Sequence, residues 1–177
     1  LHAVAEGLPD CPPFAAPPGG VRVRAFVRPG EDPALAALAP AVEVVVGDVR
    51  NPADTERFCR DAEGALLFHL AGVIHPGRVR ELYDVNVRGT ENVLAAAAAA
   101  GVSRAVVMSS NWPLGCNPHP HHRFDEESPY APYRHYGRSK WLMELSVARV
   151  QAAGRLETVV VRAPWFYGPY QPPRQTE

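Results

Sequence analysis

From Val21 onward, the chain alternates short runs of β-branched residues with longer segments of helical periodicity. This alternation is typical of repeated βαβ units, in which a helix connects two parallel strands of the same sheet. The sequence therefore predicts an α/β fold with a doubly wound parallel sheet.

Five strands and four helices are predicted in alternation. The strands are expected at residues 21–28, 42–46, 65–71, 104–109 and 156–162, and the helices at 33–39, 52–61, 78–100 and 136–153. Asn51 and Pro52 suit the N-cap and the first position of the second helix. Gly101 and Gly154 follow the two long helices, where a C-terminal glycine belongs.

The first 20 residues do not share this pattern. They contain five prolines and show neither strand alternation nor helical periodicity, so we predict an irregular segment. Residues 21–163 are predicted to form the α/β domain, and residues 164–177 a loop that follows it.

Charge and cysteine content restrict the function classes. The 177 residues carry a net charge of −1, so no overall field attracts nucleic acid or a membrane surface. The longest uncharged helix-forming stretch, residues 93–102, is far shorter than the ~20 apolar residues of a membrane span. Three scattered cysteines fit a reducing compartment better than a disulfide framework. We therefore expect a cytoplasmic protein with a small-molecule substrate and no nucleic-acid or membrane partner.

Chemically suggestive residues follow the strands. Ligands of an open parallel sheet bind beyond the carboxyl ends of its strands. The residues at these ends are Arg28 after the first strand, Gly47, Asp48 and Val49 after the second, His69 to Gly72 around the third, and Ser109, Ser110 and Asn111 after the fourth.

The most specific signal is the only lysine of the chain. Of 18 basic residues only Lys140 is not arginine, and it follows Tyr136 by four positions. On a helix, this spacing places both side chains on one face, one turn apart. An ammonium there can lower the pKa of the phenol from about 10, so that Tyr136 exchanges a proton near neutral pH. The alternative is an ordinary surface pair on a helix.

The motifs, in this order, resemble the extended short-chain dehydrogenase/reductase superfamily, the NAD-dependent epimerase/dehydratase group, over about residues 21–175. The matching segments are Gly47-Asp48, Phe68-His69-Leu70-Ala71-Gly72, Asn86-Val87-Arg88-Gly89-Thr90, Tyr136-x-x-x-Lys140 and Arg162-Ala163-Pro164-Trp165-Phe166-Tyr167-Gly168-Pro169. The resemblance implies a Rossmann-type domain in which Tyr136 is the acid/base and Lys140 also holds the nicotinamide ribose. It further implies a homodimer formed through the two long helices.

The resemblance also implies a set of cofactor contacts. These are Arg28, Asp48, Val49, His69, Leu70, Ala71, Gly72, Asn86, Ser109, Tyr136, Lys140, Pro164, Trp165 and Phe166. Several have an ordinary structural alternative: Asp48 as a turn or cap residue, His69 as a hydrogen-bonded core histidine and Asn86 as a buried amide. Arg28 stands where an acidic residue would accept the ribose 2′-OH of NAD, which favours NADP over NAD unless Arg28 is merely solvated.

Two departures from the family pattern stand out. The family places Ser or Thr after the fourth strand, and the alignment puts Asn111 there, so either Ser110 or Asn111 contacts the substrate oxygen. The glycine-rich phosphate turn expected before Val21 is missing, and with it the central strand of the sheet. We interpret residues 1–20 as a mis-framed translation of that region.

A histidine-rich loop between the fourth strand and the last helix raises the question of a metal. Cys116, His119, His121 and His122 include zinc-type ligands, but their spacing matches no established site, so we expect no metal. The sequence as a whole predicts NAD(P)-dependent hydride transfer at a secondary alcohol carbon of a sugar nucleotide. The alternatives are a steroid-like or other secondary alcohol, and an inactive fragment or nonenzymatic nucleotide-binding module.

Overall fold

A computed structural model describes residues 21–30 and 42–164. Its strands are β1 (Val23–Val27), β2 (Val42–Val46), β3 (Leu66–His69), β4 (Arg104–Ser110) and β5 (Glu157–Ala163). Every strand pair is parallel, which confirms the predicted α/β class. The predicted segment 1–20, the predicted helix 33–39 and the site residues Trp165 and Phe166 lie outside the described residues.

The strands form two sheets among the described residues. β1 pairs with β2, with Val23 opposite Val42, and β4 lies between β3 and β5. No ladder joins β1 to β3 in this part of the chain. In a doubly wound sheet of this kind, the predicted missing central strand would lie between these two strands.

Helix α1 (Pro52–Cys59) begins as predicted. The Asn51 side chain accepts a hydrogen bond from the backbone N–H of Ala53 at 3.2 Å, and Pro52 occupies the first turn. The helix packs against α3 (Thr90–Ala99), and Phe58 stacks on Phe26 of β1 with ring centroids 4.9 Å apart. α1 thereby joins the two-stranded sheet to the rest of the fold.

The predicted central helix contains an irregularity that its sequence does not reveal. It consists of α2 (Val79–Tyr83), a π-helical segment (Asp84–Gly89) and α3. A Cβ on Gly89 would lie 2.7 Å from Val49 Cγ2, so glycine allows this segment to pack closely against the residues after β2. Such π-helical turns occur frequently at functional sites.

The last helix, α4 (Arg134–Ala152), carries Tyr136 and Lys140 and begins two residues earlier than predicted. A single 3₁₀ turn, Trp112–Leu114, follows β4 and packs against the first turn of α4. A Cβ on Gly137 would lie 2.7 Å from the backbone oxygen of Trp112, so a glycine next to Tyr136 is needed for this contact.

The hydrophobic core lies between the three-stranded sheet and the helices α3 and α4. Its fully buried members are Leu94, Ala97, Ala105, Val107 and Met143. Buried and exposed residues alternate along these strands. On the face opposite the core, Leu66, Phe68, Val159 and Val161 are among the exposed residues. No helix of the described residues is long and apolar enough to cross a membrane.

Candidate active site

The end of β4 and the first turns of α4 bring the predicted acid/base residue next to a serine. The Ser110 hydroxyl lies close enough to the phenol of Tyr136 to favour the phenolate, and so acts to lower its pKa. Burial acts in the opposite direction and dominates, so the pKa of Tyr136 lies above its usual value. Trp112 contributes to that burial, since its ring meets the Tyr136 ring edge-on with centroids 5.6 Å apart.

Lys140 lies one turn further along α4 and is only 5% exposed. Its Nζ donates to the backbone oxygen of Met108 at 2.9 Å and lies 3.8 Å from Met143 Sδ. Burial lowers the pKa of Lys140 to about 8, while the Glu144 carboxylate acts to raise it. The ammonium is therefore held against β4, two residues before Ser110.

These positions correct the electrostatic part of the sequence prediction. We expected Lys140 to lower the pKa of Tyr136, but the pKa is raised, and the effect that opposes burial comes from Ser110. The physical reason is that the Lys140 ammonium is directed at the Met108 carbonyl and is itself desolvated. The shared helix face is confirmed, since both side chains reach the end of β4.

The geometry also bears on the choice between Ser110 and Asn111. Ser110 lies close enough to the phenol to act on its pKa, whereas the Asn111 side-chain oxygen lies 3.3 Å from the Ser110 hydroxyl and accepts from it. Ser110 Oγ additionally lies 3.4 Å from the backbone N–H of Trp112. Of the two candidates, Ser110 is the one whose hydroxyl acts on the pKa of Tyr136.

Asn86, in the π-helical segment, connects the loop after β3 to α4. Its Oδ1 accepts from the Val73 backbone N–H at 2.8 Å, and its Nδ2 donates to the Val73 oxygen and to Ser139 Oγ, both at 3.0 Å. Both amide hydrogens are thus used within the protein. Asn86 fixes the residues around Gly72 against the helix that carries Lys140, and a direct contact with a cofactor stays a prediction.

Gly72 lies at the exposed edge of this arrangement. A Cβ at Gly72 would come within 3.3 Å of Asn86 Oδ1 and 3.4 Å of Lys140 Nζ. The neighbouring Leu70 and Ala71 are exposed as well. A ligand at this edge could therefore approach the Lys140 ammonium across a glycine backbone.

His69 is a core histidine in this structure. Its Nε2 lies 2.8 Å from Thr90 Oγ1, and Thr90 donates to the Asn86 backbone oxygen, so His69 is the donor to Thr90. Burial, and next the nearby Lys140 charge, lower the pKa of His69 to about 4. The neutral ring supports the strand end, and its predicted cofactor contact stays untested.

Asp48 lies at the end of β2 among arginines. Its carboxylate accepts from the backbone and guanidinium of Arg50, and this hydrogen bonding lowers the pKa of Asp48. The charge of Arg28 acts in the same direction, so Arg28 lies near this carboxylate. The backbone oxygen of the following residue, Val49, accepts from Asn92. The predicted adenosine end of the site is therefore polar and carries two exposed guanidiniums.

One residue of the site, Glu144, has no counterpart in the sequence prediction. The buried carboxylate of Glu144, one turn after Lys140, accepts hydrogen bonds from Ser109, Tyr130 and Arg162. Ser109, predicted to contact the cofactor, thus directs its hydroxyl to this carboxylate. The four-residue spacing from Lys140 to Glu144 was a signal that could have indicated Glu144.

The remaining predicted positions lie at the margins. Pro164 is exposed directly after β5, next to residues that are not described. Cys116 is a free, exposed thiol, and the described part of the chain contains no group of three or more residues placed to ligate a metal. The histidine-rich loop is a surface feature in which His122 packs edge-on against His119 and Phe124.

Comparison with known proteins places this site in a family. The profile of the NAD dependent epimerase/dehydratase family matches residues 16–177. The uncharacterized protein y4nL of Sinorhizobium fredii is 52% identical over 176 residues, which are 98% of this chain and 48% of that protein. Sterol demethylase protein B of Methylococcus capsulatus is 38% identical over 157 residues, 85% of this chain and 46% of that protein.

A solved structure extends the likeness to three dimensions. The crystal structure of DesIV, a dTDP-glucose 4,6-dehydratase from Streptomyces venezuelae with NAD bound, has a TM-score of 0.74 at 27% identity. The match covers 85% of this chain and 48% of DesIV. The chain therefore spans about half the length of the relatives that it matches.

Proposed function

Because the chain belongs to the NAD dependent epimerase/dehydratase family, we propose that it contributes the proton-transfer half of the active site in an NAD(P)-dependent oxidoreductase or epimerase that acts at a secondary alcohol carbon. The observation that carries this proposal is the position of Tyr136 beside the Ser110 hydroxyl, with the Lys140 ammonium one turn further along the same helix. A serine and a phenol that lie close together can both hydrogen-bond a substrate hydroxyl and exchange a proton with it.

The cofactor is implied by the family, and the described residues fit one end of it. Gly72 has no side chain where one would approach the Lys140 ammonium, so a ribose hydroxyl could accept a hydrogen bond from Lys140 there. Asp48 and Val49 would lie near the adenine. The nicotinamide supplies the two-electron redox chemistry when it is bound. The residues of this chain would orient the substrate hydroxyl and move its proton.

Ser110 and Tyr136 divide the proton work between them. The phenol, with its pKa raised by burial, is protonated at neutral pH and can donate to a substrate oxygen. The Ser110 hydroxyl acts to lower the Tyr136 pKa, and it would stabilise the phenolate that remains after this transfer by donating to it instead of to Asn111.

For the cofactor we propose NADP over NAD. Arg28 and Arg50 both lie close enough to Asp48 to lower its pKa, so two guanidiniums flank the end of β2. A guanidinium pairs well with the 2′-phosphate that distinguishes NADP. DesIV has NAD bound, which makes cofactor choice the first property to measure.

For the substrate we propose a sugar nucleotide, with a steroid-like alcohol as the second candidate. DesIV is named for dTDP-glucose, which supports the first. The name of sterol demethylase protein B supports the second. We further propose a cytoplasmic enzyme that dimerises through its long helices. A nonenzymatic nucleotide-binding module is the competing proposal.

The decisive experiment compares the wild-type chain with Tyr136→Phe. Titration of NADPH fluorescence should give saturable binding to both proteins, because the lost hydroxyl is not needed to hold the nucleotide. Oxidation or reduction of a secondary alcohol should fall by about 10²–10⁴-fold in the variant. Binding without any turnover in the wild type would favour the nonenzymatic module, and full turnover in Tyr136→Phe would remove the phenol from the mechanism.

A further inference from the structure

Glu144 is buried where four separate segments of the fold meet. It lies on α4, and its side chain is 3% exposed. Ser109 at the end of β4 donates to Oε1 at 2.5 Å, and the Tyr130 hydroxyl, from the loop before α4, donates to Oε2 at 2.7 Å. Arg162 on β5 donates through Nη2 at 2.9 Å and through Nε at 3.1 Å.

We propose that Glu144 is a positioning residue for the acid/base machinery: its carboxylate fastens the helix that carries Tyr136 and Lys140 to the ends of β4 and β5 and supplies the negative charge that faces Lys140 from one turn away. This inference rests on the proposed function for its consequence in catalysis. The contacts and the charge of Glu144 themselves can be tested without any turnover.

The hydrogen bonds give the mechanical part of the argument. Ser109 precedes Ser110, so a bond from Ser109 to Glu144 fixes the end of β4 relative to α4. Ser110 and Tyr136 lie on these same two elements, so the distance between their hydroxyls depends on that separation. Arg162 also donates to the Tyr130 hydroxyl at 2.7 Å, which closes the group into a network with little freedom to rearrange.

The charges give the electrostatic part. Four titratable groups on different elements surround Glu144 and Lys140: Arg162 on β5, Tyr130 on the preceding loop, Tyr136 on α4 and His69 on β3. His69 is neutral, and the pKa of Tyr130 is raised by burial and then by Glu144, so both stay uncharged near neutral pH. The charges that matter are therefore one carboxylate and two cations: Arg162 donates to Glu144, and the Glu144 charge also acts on Lys140.

This arrangement is more than an ordinary ion pair of the fold. A buried carboxylate needs compensation, and one arginine would suffice for stability. Here the carboxylate also raises the pKa of Lys140, which burial alone would lower further below its value of about 8. The position of Glu144 thus keeps the ammonium charged at neutral pH in a desolvated site.

The chain offers a direct measurement, because Lys140 is its only lysine. In protein grown with isotope-labelled lysine, a single side-chain NMR signal reports the titration of Lys140 without assignment. Glu144→Gln should move the midpoint down by about one pH unit or more, since it removes the negative charge that acts to raise the pKa of Lys140. Arg162→Gln should move the midpoint up, because the freed carboxylate then acts on Lys140 alone.

Glu91→Gln is the matched control. Glu91 is a carboxylate that also binds α4, through Ser146 Oγ at 2.9 Å, but it is distant in sequence from the Tyr136–Lys140 turn. The midpoint of the Lys140 titration in Glu91→Gln should equal that of the wild type. Equal midpoints in wild type, Glu144→Gln and Arg162→Gln would overturn the proposal. If circular dichroism shows that Glu144→Gln does not fold, the Lys140 titration in Arg162→Gln becomes the test. A raised midpoint supports the proposal, and an unchanged midpoint overturns it.

The catalytic consequence is read from the pH profile of the active protein. Glu144→Gln should lose kcat mainly on the alkaline side, where Lys140 is deprotonated first, with KM changed much less than kcat. A uniform loss of kcat at every pH would indicate a structural role only and would contradict the electrostatic part. Absence of turnover in the wild type would count against the proposed function, while the Lys140 titration would still test Glu144.

Discussion

Ser110 and Tyr136 lie close enough together for the serine hydroxyl to act to lower the pKa of the phenol, and in this structure that hydroxyl donates to the side-chain oxygen of Asn111 at 3.3 Å. Ser110 is therefore the hydroxyl that acts on Tyr136, and Asn111 lies one step behind. Their proximity brings together the end of β4 and the first turn of α4, the two elements on which the proposed chemistry depends.

Ser110→Ala should lower kcat by about 100-fold, the scale of losing one donor at a reacting oxygen. Asn111→Ala should lower kcat much less, because it leaves the Ser110 hydroxyl beside Tyr136. Steady-state kinetics of both variants at saturating cofactor provide the measurement. A larger loss in Asn111→Ala than in Ser110→Ala would reverse the assignment and make the amide the substrate contact.

Arg28→Ser should raise the Kd for NADPH about tenfold, the scale of one lost hydrogen bond to a charged group, and leave the Kd for NADH nearly unchanged. The reason is that only NADPH offers a ribose 2′-phosphate to the guanidinium near Asp48. Fluorescence titration with both nucleotides separates the two cases. Arg60→Ser, at an exposed arginine after α1, is the control for a simple loss of positive charge.

Gly137→Ala should destabilise the fold by about 1–3 kcal/mol, since the added methyl group would meet the backbone oxygen of Trp112. The same displacement moves Tyr136 and should reduce activity in the protein that remains folded. Gly77→Ala is the matched control, because its Cβ would meet only the flexible end of Glu81 at 3.6 Å. Urea unfolding of the two variants gives the comparison, and equal stabilities would contradict the close contact.

The lowered pKa of His69 predicts a loss of folding stability in mild acid. Its folded pKa of about 4 lies below the ordinary value of 6.5, so the unfolded chain binds the proton first as the pH falls. Stability from the neutral ring is fully present above pH 6.5 and is lost between pH 6.5 and about 4, by about 3 kcal/mol in total. His69→Gln, which keeps a donor for Thr90, should show a flatter profile of unfolding free energy over that range. Parallel profiles for the two proteins would mean that His69 titrates normally.

The elements of the fold were predictable because they depend on local signals. The Asn51 cap, the glycines after the long helices and the β-branched runs place most helix and strand ends within two residues of the observed ones. Gly101 and Gly154 have the positive φ values, +72° and +64°, that a C-terminal glycine cap requires. The π-helical segment was not predictable, since its extra residue arises from the contacts of Asn86 with Val73 and Ser139 rather than from helix propensity.

The site was predictable in its residues and less so in its electrostatics. Tyr136, Lys140 and Ser110 meet at the end of β4, as their motif and positions indicate. The direction of the Tyr136 pKa depends on desolvation and on where the ammonium points, and neither can be read from spacing. Glu144 escaped prediction, and Arg162 was predicted only as part of its motif, because their pairing depends on how α4 packs against β5, which spacing alone does not give.

The double hydrogen bond between Asn86 and the backbone of Val73 also separates two parts of the loop that follows β3. On one side, Gly72 is held at a constant place beside Lys140. On the other side, residues 74–78, most of them exposed, are not held by these hydrogen bonds. Insertions, deletions and substitutions can accumulate there and reshape the entrance of the site, while the ammonium beneath it keeps its position.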